Sequence, residues 1–68
     1  MAEIRNLYFG HKRSTRRYRI LAITNKRLGT RNRYIQAAEI ARKIRKSANN
    51  FRIKEEARGD EKYFLSKL

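Results

Sequence analysis

Apolar residues recur at helical spacing between residues 31 and 50. At roughly 100° per residue, one side of a helix there carries the apolar set Tyr34, Ala37, Ala38, Ala41, Ile44 and Ala48. The opposite side is polar and mostly charged. The centre of the apolar side is alanine, and small side chains let another layer of structure approach closely. The pattern therefore predicts one amphipathic helix with a β-sheet laid across its alanine face.

Three other stretches alternate between apolar and polar residues with the period of two that is typical of strands. They are residues 3–10, 17–25 and 51–57. Residues 17–25 are rich in β-branched and aromatic side chains and are apolar on both faces, which indicates a central strand. Residues 60–68 fit either a fourth strand after a turn at 58–60 or a terminal helical turn capped by Asp60.

The predicted fold class is α+β, with a three- or four-stranded antiparallel sheet packed on the 31–49 helix in the order strand, strand, helix, strand. A chain of 68 residues allows a single domain, 1–68, with a marginal core. Residues 10–17 form the predicted hairpin tip, and residues 25–32 connect a strand to the helix. In that connection Gly29 is available for a positive φ, and Thr30 or Asn32 is the expected helix N-cap.

Charge is the strongest signal in the composition. The chain has 19 Lys and Arg against 6 Asp and Glu, which gives a net charge of +13. Self-repulsion at that charge opposes compaction, and a polyanion relieves it, so nucleic acid is the expected partner. Most of the acids lie near the C-terminus, and we expect that end to face away from the polyanion.

The remaining composition argues against other classes of protein. The chain lacks cysteine and has one histidine, so we expect no disulfide, no metal site and no cofactor. It lacks an apolar run near the roughly 18 residues of a membrane span, and its N-terminus lacks the apolar segment of a signal peptide. We therefore expect a cytoplasmic protein without a membrane partner. The scarcity of acids and histidine argues against an enzyme and against a small-molecule substrate.

Candidate phosphate contacts form three groups of cations. They are Lys12, Arg13, Arg16, Arg17 and Arg19 at the predicted hairpin, Lys26, Arg27, Arg31 and Arg33 at the helix start, and Arg42, Lys43 and Lys46 on the helix face. Folding does not require like charges to gather in this way, whereas phosphate contact explains it. Cations at a helix start also oppose the helix dipole, which indicates an anion site there. Tyr8 and His11 are candidates for stacking on bases, although Tyr8 fits equally well as an aromatic on the sheet surface.

Cations of this kind position a nucleic-acid backbone rather than read its bases. We therefore expect a structural RNA-binding protein of a large ribonucleoprotein, most simply a small ribosomal protein packed beside neighbouring proteins. Arginine outnumbers lysine, and its planar fork suits irregular RNA. The alternative is a small DNA-binding module, such as a phage or plasmid recombination or regulatory factor. No helix-turn-helix is predicted, because a second helix of comparable quality is missing.

Overall fold

The computed structural model of the chain describes Tyr8 and residues 12–68. These residues form three α-helices, α1 (Arg13–Ala22), α2 (Thr30–Ser47) and α3 (Phe51–Ser66). No strand occurs in this part of the chain. The predicted α+β fold is therefore wrong, and the protein is a small helical bundle. The predicted strand at residues 3–10 lies outside the described residues, apart from Tyr8.

Helix α2 is the element that the hydrophobic pattern predicts well. It ends at Ser47, three residues before the end of the periodic stretch. The alanine face is buried as expected, since Ala37, Ala38 and Ala41 have almost no exposed surface. The layer that covers this face is α3 and not a sheet, because α2 and α3 form the most extensive helix–helix packing in the described residues. Alanine permits close helix packing as readily as it permits close sheet packing, so the pattern alone could not decide between them.

Helix α3 lies where the sequence predicts a third strand and a turn. The Asn50 side chain begins it, since its Oδ1 accepts hydrogen bonds from the backbone N–H groups of Arg52 at 2.8 Å and Ile53 at 3.3 Å. From Ile53, the apolar positions Ala57 and Phe64 continue at helical spacing into the core. For residues 60–68 the helical alternative is therefore closer to the structure than the strand. Residues 60–66 are the end of a long helix, however, and not a separate terminal turn.

Helix α1 lies where the sequence predicts a hairpin tip and a central strand. Its arginines and leucine favour a helix, and Arg16 and Ile20, which are four residues apart, point to the same side and are both buried. In the predicted central strand, both faces would be covered by other parts of the protein. In the helix, Tyr18 is instead 73% exposed and Ile23, just beyond the last turn, is 53% exposed.

The connection between α1 and α2 spans residues 23–29. Gly29, and neither Thr30 nor Asn32, is the N-cap of α2, and its φ of −64° is an ordinary extended value. The predicted N-cap is therefore wrong, and Gly29 does not use the positive φ that a glycine permits. The connection is held to α2 by the backbone N–H of Asn25, which donates to the Gln36 Oε1 at 2.7 Å.

Phe64 is the largest fully buried side chain in the described part of the protein. Its ring packs edge-on against Tyr63 at 5.4 Å between centroids, and it lies tilted against Tyr34 of α2 at 6.3 Å. The same core contains Ile20 of α1, so all three helices meet around this phenylalanine.

We expect Phe64→Ala to lower the free energy of unfolding by about 3–5 kcal/mol, because it leaves a cavity where the three helices meet. Thermal melts followed by helical circular dichroism measure the effect. Phe51→Ala is the matched control, since Phe51 is 77% exposed and its removal should cost no more than about 0.5 kcal/mol. Equal losses in the two variants would contradict this placement of the core.

Candidate nucleic-acid interface

The acids that the structure describes are concentrated on α3. Glu39 of α2 is the exception, and residues 12–38 contain neither Asp nor Glu. The α3 carboxylates pair with arginines within 4 Å: Asp60 with Arg16 and Arg17, Glu56 with Arg16 and Arg52, Glu61 with Arg45, and Glu55 with Arg58. The negative charge is thus largely used in ion pairs within the bundle.

The strongest of these pairings joins α1 to α3 through a buried carboxylate. Arg16 donates from Nε to the Asp60 Oδ2 at 2.6 Å and from Nη2 to Oδ1 at 3.0 Å, a two-pronged arrangement. Arg17 donates from Nε to Oδ1 at 2.8 Å, and the Tyr8 hydroxyl donates to Oδ2 at 2.9 Å. Asp60 has no exposed surface. We call Asp60, Arg16, Arg17 and Tyr8 the Asp60 cluster.

Protonation in the Asp60 cluster follows from burial and from these hydrogen bonds. Burial by itself disfavours the Asp60 carboxylate, but the bonds from Arg16, Arg17 and Tyr8 outweigh it, and the pKa of Asp60 is lowered. Burial, and then the nearby carboxylate, raise the pKa of Tyr8, so that its phenol stays protonated and can donate. Burial likewise opposes the charge on Arg16, yet Asp60 raises its pKa overall. At neutral pH the Asp60 carboxylate and the Arg16 guanidinium are therefore charged, while the Tyr8 phenol is neutral.

The Asp60 cluster accounts for three of the residues that the sequence nominates for nucleic-acid contact. Arg16 is 3% exposed and faces Asp60 rather than solvent, and Arg17 is mostly covered. Tyr8 is buried, with the Arg16 guanidinium 4.9 Å from its ring, so it is not a surface aromatic of either predicted kind. His11 lies outside the described residues.

The other predicted cations are at the surface, with one exception. The exposed ones are Lys12, Arg13, Arg19, Lys26, Arg27, Arg31, Arg42, Lys43 and Lys46, and none of these forms an ion pair with an acid that the structure describes. The exception is Arg33, which is half-buried and donates to the Thr24 Oγ1 and the Leu21 carbonyl, each at 2.9 Å. Arg33 therefore holds the end of α1 against α2.

The exposed cations of α2 follow from its helical spacing. Arg42, Lys43 and Lys46 project from the side opposite the buried alanines. No acid occupies the first turn of any of the three helices, and the N-cap residues of α1 and α2, Lys12 and Gly29, make no capping hydrogen bond with a side chain. The positive ends of these two helix dipoles are thus not offset by local acids.

Two surface hollows adjoin at Tyr18 and Leu21, and together we call them the Tyr18 groove. The first has a volume of about 620 Å³ and is lined by Lys12, Arg13, Ser14, Arg17, Tyr18, Leu21 and Tyr63. The second has a volume of about 380 Å³ and is lined by Tyr18, Leu21, Ala22, Lys26, Thr30, Arg33 and Tyr34. Neither lining includes an acid. The groove thus combines tyrosines with cations from α1, α2 and their connection.

Sequence reasoning missed Tyr18 as a surface aromatic because it was assigned to a strand. A helical interpretation of residues 13–22 finds it, because Tyr18 stands about 160° around the helix from Ile20. Two residues of separation place two side chains on the same face of a strand but on nearly opposite faces of a helix.

No protein-family model, curated protein or solved structure matches this chain. Within the described residues, no helix is both long enough and apolar enough to span a membrane. In the same part of the chain, no three His, Cys, Asp or Glu side chains are grouped so as to hold a metal ion. The features of the described chain that suit a ligand are the surface cations and the Tyr18 groove.

We expect Asp60→Asn to destabilise the protein by about 3–5 kcal/mol, because it leaves two arginines beside a buried site without their carboxylate. Glu55→Gln is the control, since Glu55 forms an exposed pair with Arg58 at 3.8 Å and should contribute less than about 1 kcal/mol. Denaturation by urea at neutral pH measures both. A small effect in Asp60→Asn would contradict the role of the Asp60 cluster.

The lowered pKa of Asp60 gives this contribution a defined pH dependence. An unfolded aspartate titrates near pH 3.9, and the folded carboxylate titrates lower. The stabilisation from Asp60 is therefore fully present above about pH 5 and is lost as the pH falls through the folded pKa. Carbon NMR shifts of the Asp60 carboxyl, followed during acid titration, measure the pKa directly. A midpoint at or above that of an unfolded aspartate would be inconsistent with the observed bonds.

Proposed function

We propose that this chain is a non-catalytic RNA-binding protein that contacts the phosphate backbone inside a large ribonucleoprotein, most simply as a small ribosomal protein. The observation that carries the proposal is the separation of charges. The described acids are mostly paired on α3, while α1, the connection and the outer side of α2 present cations with no described acid within 4 Å. A net charge of +13 is thereby concentrated where a polyanion has access.

The proposed contacts are the exposed members of the three predicted groups. Lys12, Arg13 and Arg19 belong to the α1 group; Lys26, Arg27 and Arg31 belong to the α2-start group; Arg42, Lys43 and Lys46 belong to the α2-face group. Each acts as a phosphate contact that positions the protein on its ligand. The other three predicted cations do not contact the ligand but hold the helices together through internal hydrogen bonds; they are Arg16, Arg17 and Arg33.

RNA is favoured over DNA by the character of α2. The alternative, a DNA-binding module, is strengthened by the presence of further helices, which the sequence did not predict. A helix that enters the major groove must present free donors and acceptors along its outer face. On α2, however, Gln36 is engaged by the backbone of Asn25, and Glu39 is an exposed negative charge in the middle of that face. Scattered phosphate contacts on irregular RNA tolerate both features better than a duplex groove does.

The same proposal places the protein in the cytoplasm, with RNA and neighbouring proteins of the particle as its partners. Support for protein neighbours comes from the exposed apolar side chains of α3, among them Phe51 and Leu65. A ribonucleoprotein provides surfaces that such side chains can pack against. No cofactor and no small-molecule substrate enters this proposal.

We expect the triple variant Arg42→Gln, Lys43→Gln, Lys46→Gln to weaken RNA binding similarly across sequences and to reduce the salt slope of log Kd by about 2–3 units, because each lost phosphate contact removes about one. The matched control is Lys54→Gln, Arg58→Gln, Lys62→Gln on α3, which removes one arginine and two lysines as well. The control should change the slope by less than about one unit.

Titrations of structured RNA, single-stranded RNA and duplex DNA across a salt series make the measurement. If both triple variants lose affinity equally, net charge alone governs binding and the proposed surface is wrong. If the wild-type chain instead retains one duplex DNA sequence selectively at moderate salt, the DNA-binding alternative replaces the proposal.

A further inference from the structure

We propose that the Tyr18 groove binds unpaired RNA bases, with the Tyr18 ring as the surface on which they stack. This inference rests on the proposed function and makes it more specific, because it assigns the protein a preference for single-stranded or looped segments. It is carried by the exposure of Tyr18, by the construction of the groove walls and by the charge around the groove.

Tyr18 is available for stacking. Its side chain is 73% exposed, and its ring makes no aromatic or cation–π contact with another described residue. Its hydroxyl makes no hydrogen bond with a described residue. Tyr18 and Leu21 line both hollows, so the ring stands between them. Base–aromatic stacking tolerates any sequence because every base has a π-face.

The walls of the groove are fixed from inside the protein. Tyr63 and Tyr34, one in each hollow, both pack against the buried Phe64. The Arg17 guanidinium lies 4.2 Å from the Tyr63 ring centroid and is itself anchored to Asp60. Tyr63 therefore has a ring face already occupied and serves as a wall, which leaves Tyr18 as the stacking surface. A site that is built before its ligand arrives loses less entropy on binding.

The charge around the groove suits a nucleic-acid strand. Lys12 and Arg13 line the first hollow, while Lys26 and Arg33 line the second. A strand whose bases enter on either side of Tyr18 thus meets exposed cations for its phosphates at each end, Lys12 and Arg13 at the first hollow and Lys26 at the second. The Arg33 guanidinium is engaged by Thr24 and Leu21. An apolar ligand would gain nothing from these charges, whereas a single-stranded nucleic acid combines bases that stack with phosphates that attract cations.

Paired bases are excluded by the same geometry. In a duplex the faces of each base are covered by its neighbours in the stack, and a protein ring has access only to base edges and the backbone. Stacking on Tyr18 therefore requires unpaired nucleotides, such as those in RNA loops, bulges and ends. Duplex binding by this chain would depend on the surface cations alone.

The test compares Tyr18→Ala with Tyr18→Phe in the full chain. The probes are a mixed-sequence single-stranded RNA of 12 nucleotides, the same sequence as single-stranded DNA, and the same sequence as an RNA duplex, at fixed salt. We expect Tyr18→Ala to bind the single strand roughly 5- to 150-fold more weakly, the effect of losing one base–aromatic stack. Tyr18→Phe should retain wild-type affinity. Duplex affinity and the salt slope should be unchanged in both variants.

Two further variants make the outcome specific. Phe51→Ala removes another exposed aromatic, on α3 and away from the groove lining, and should leave single-strand binding unchanged. Tyr18→Trp introduces a tryptophan into a chain that has none, so quenching of its fluorescence by the single strand, but not by the duplex, supports base stacking at this position. Thermal melts of all variants should match the wild type, since Tyr18 lies outside the core.

The results separate this inference from the proposed function. If Tyr18→Ala binds single-stranded RNA as well as the wild type does, while the α2 triple variant still weakens binding, the groove inference is overturned and the RNA-binding proposal stands. Equal losses on single strand and duplex would also overturn the inference. If the wild-type chain binds none of the nucleic acids, or binds the DNA single strand better than the RNA, it is the proposed function that fails.

Discussion

A carboxylate without access to solvent must be fully compensated, and Asp60 obtains that compensation from Arg16 and Arg17 of α1 and from Tyr8. Desolvation of an ion in a protein interior costs several kcal/mol, and hydrogen bonds of good geometry are needed to offset it. The four bonds to Asp60 come from two arginines and one tyrosine, so the carboxylate organises residues from distant parts of the chain. Helices α2 and α3 pack extensively against each other, whereas α1 has fewer close approaches to α2 and is held by Ile20, by Arg33 and by the Asp60 cluster.

The same interaction explains how a chain with so many cations folds at all. A domain of this size has a small core, and repulsion among like charges weakens it further. The α3 carboxylates lie against arginines of α1 and α2 and reduce that repulsion where helices meet. Apart from Arg33, the cations that remain without such partners in the described chain are exposed. The placement of the acids on α3 therefore has two results: it neutralises arginines where the helices meet, and it leaves the outer surface positively charged.

The hydrophobic pattern predicted α2 and its buried face correctly. It predicted strands in place of α1 and α3 because a charged residue lies among the buried positions of each helix. Along α3, Ile53, Ala57, Asp60 and Phe64 occupy successive core-facing positions, but an aspartate at one of them looks like a surface residue. Along α1 the buried pair is Arg16 and Ile20, and an arginine interrupts the apolar pattern in the same way. A hydrophobic pattern classifies each side chain by its own polarity, so it assigns Asp and Arg to the surface. Burial of either residue is energetically possible only when its ionic partner is buried beside it, and the pattern does not contain that information.

Much of the candidate interface was nonetheless predictable. Surface cations such as Arg42 and Lys46 were identified because charge is read directly from the sequence and α2 was correctly placed. The roles of Arg16 and Arg17 were not predictable, because their partner is more than forty residues away in the chain. Tyr18 was missed because a strand and a helix send the same residue to different sides of an element. The omission of Tyr18 therefore followed from the wrong local structure, whereas the assignment of Arg16 and Arg17 to the surface overlooked a partner distant in the chain.

The absence of acids from the first turn of each helix affects which substitutions can stabilise this protein. An acidic residue beside the start of α2, near Gly29 or Thr30, would stabilise that helix by about 0.3–1 kcal/mol through its dipole. It would also place negative charge beside Lys26 and the second hollow of the groove. Stability and ligand affinity therefore compete for the same positions, as they do in many functional sites. Selection of variants for heat resistance alone would favour acids there, and the most stable forms of the chain would be poor binders.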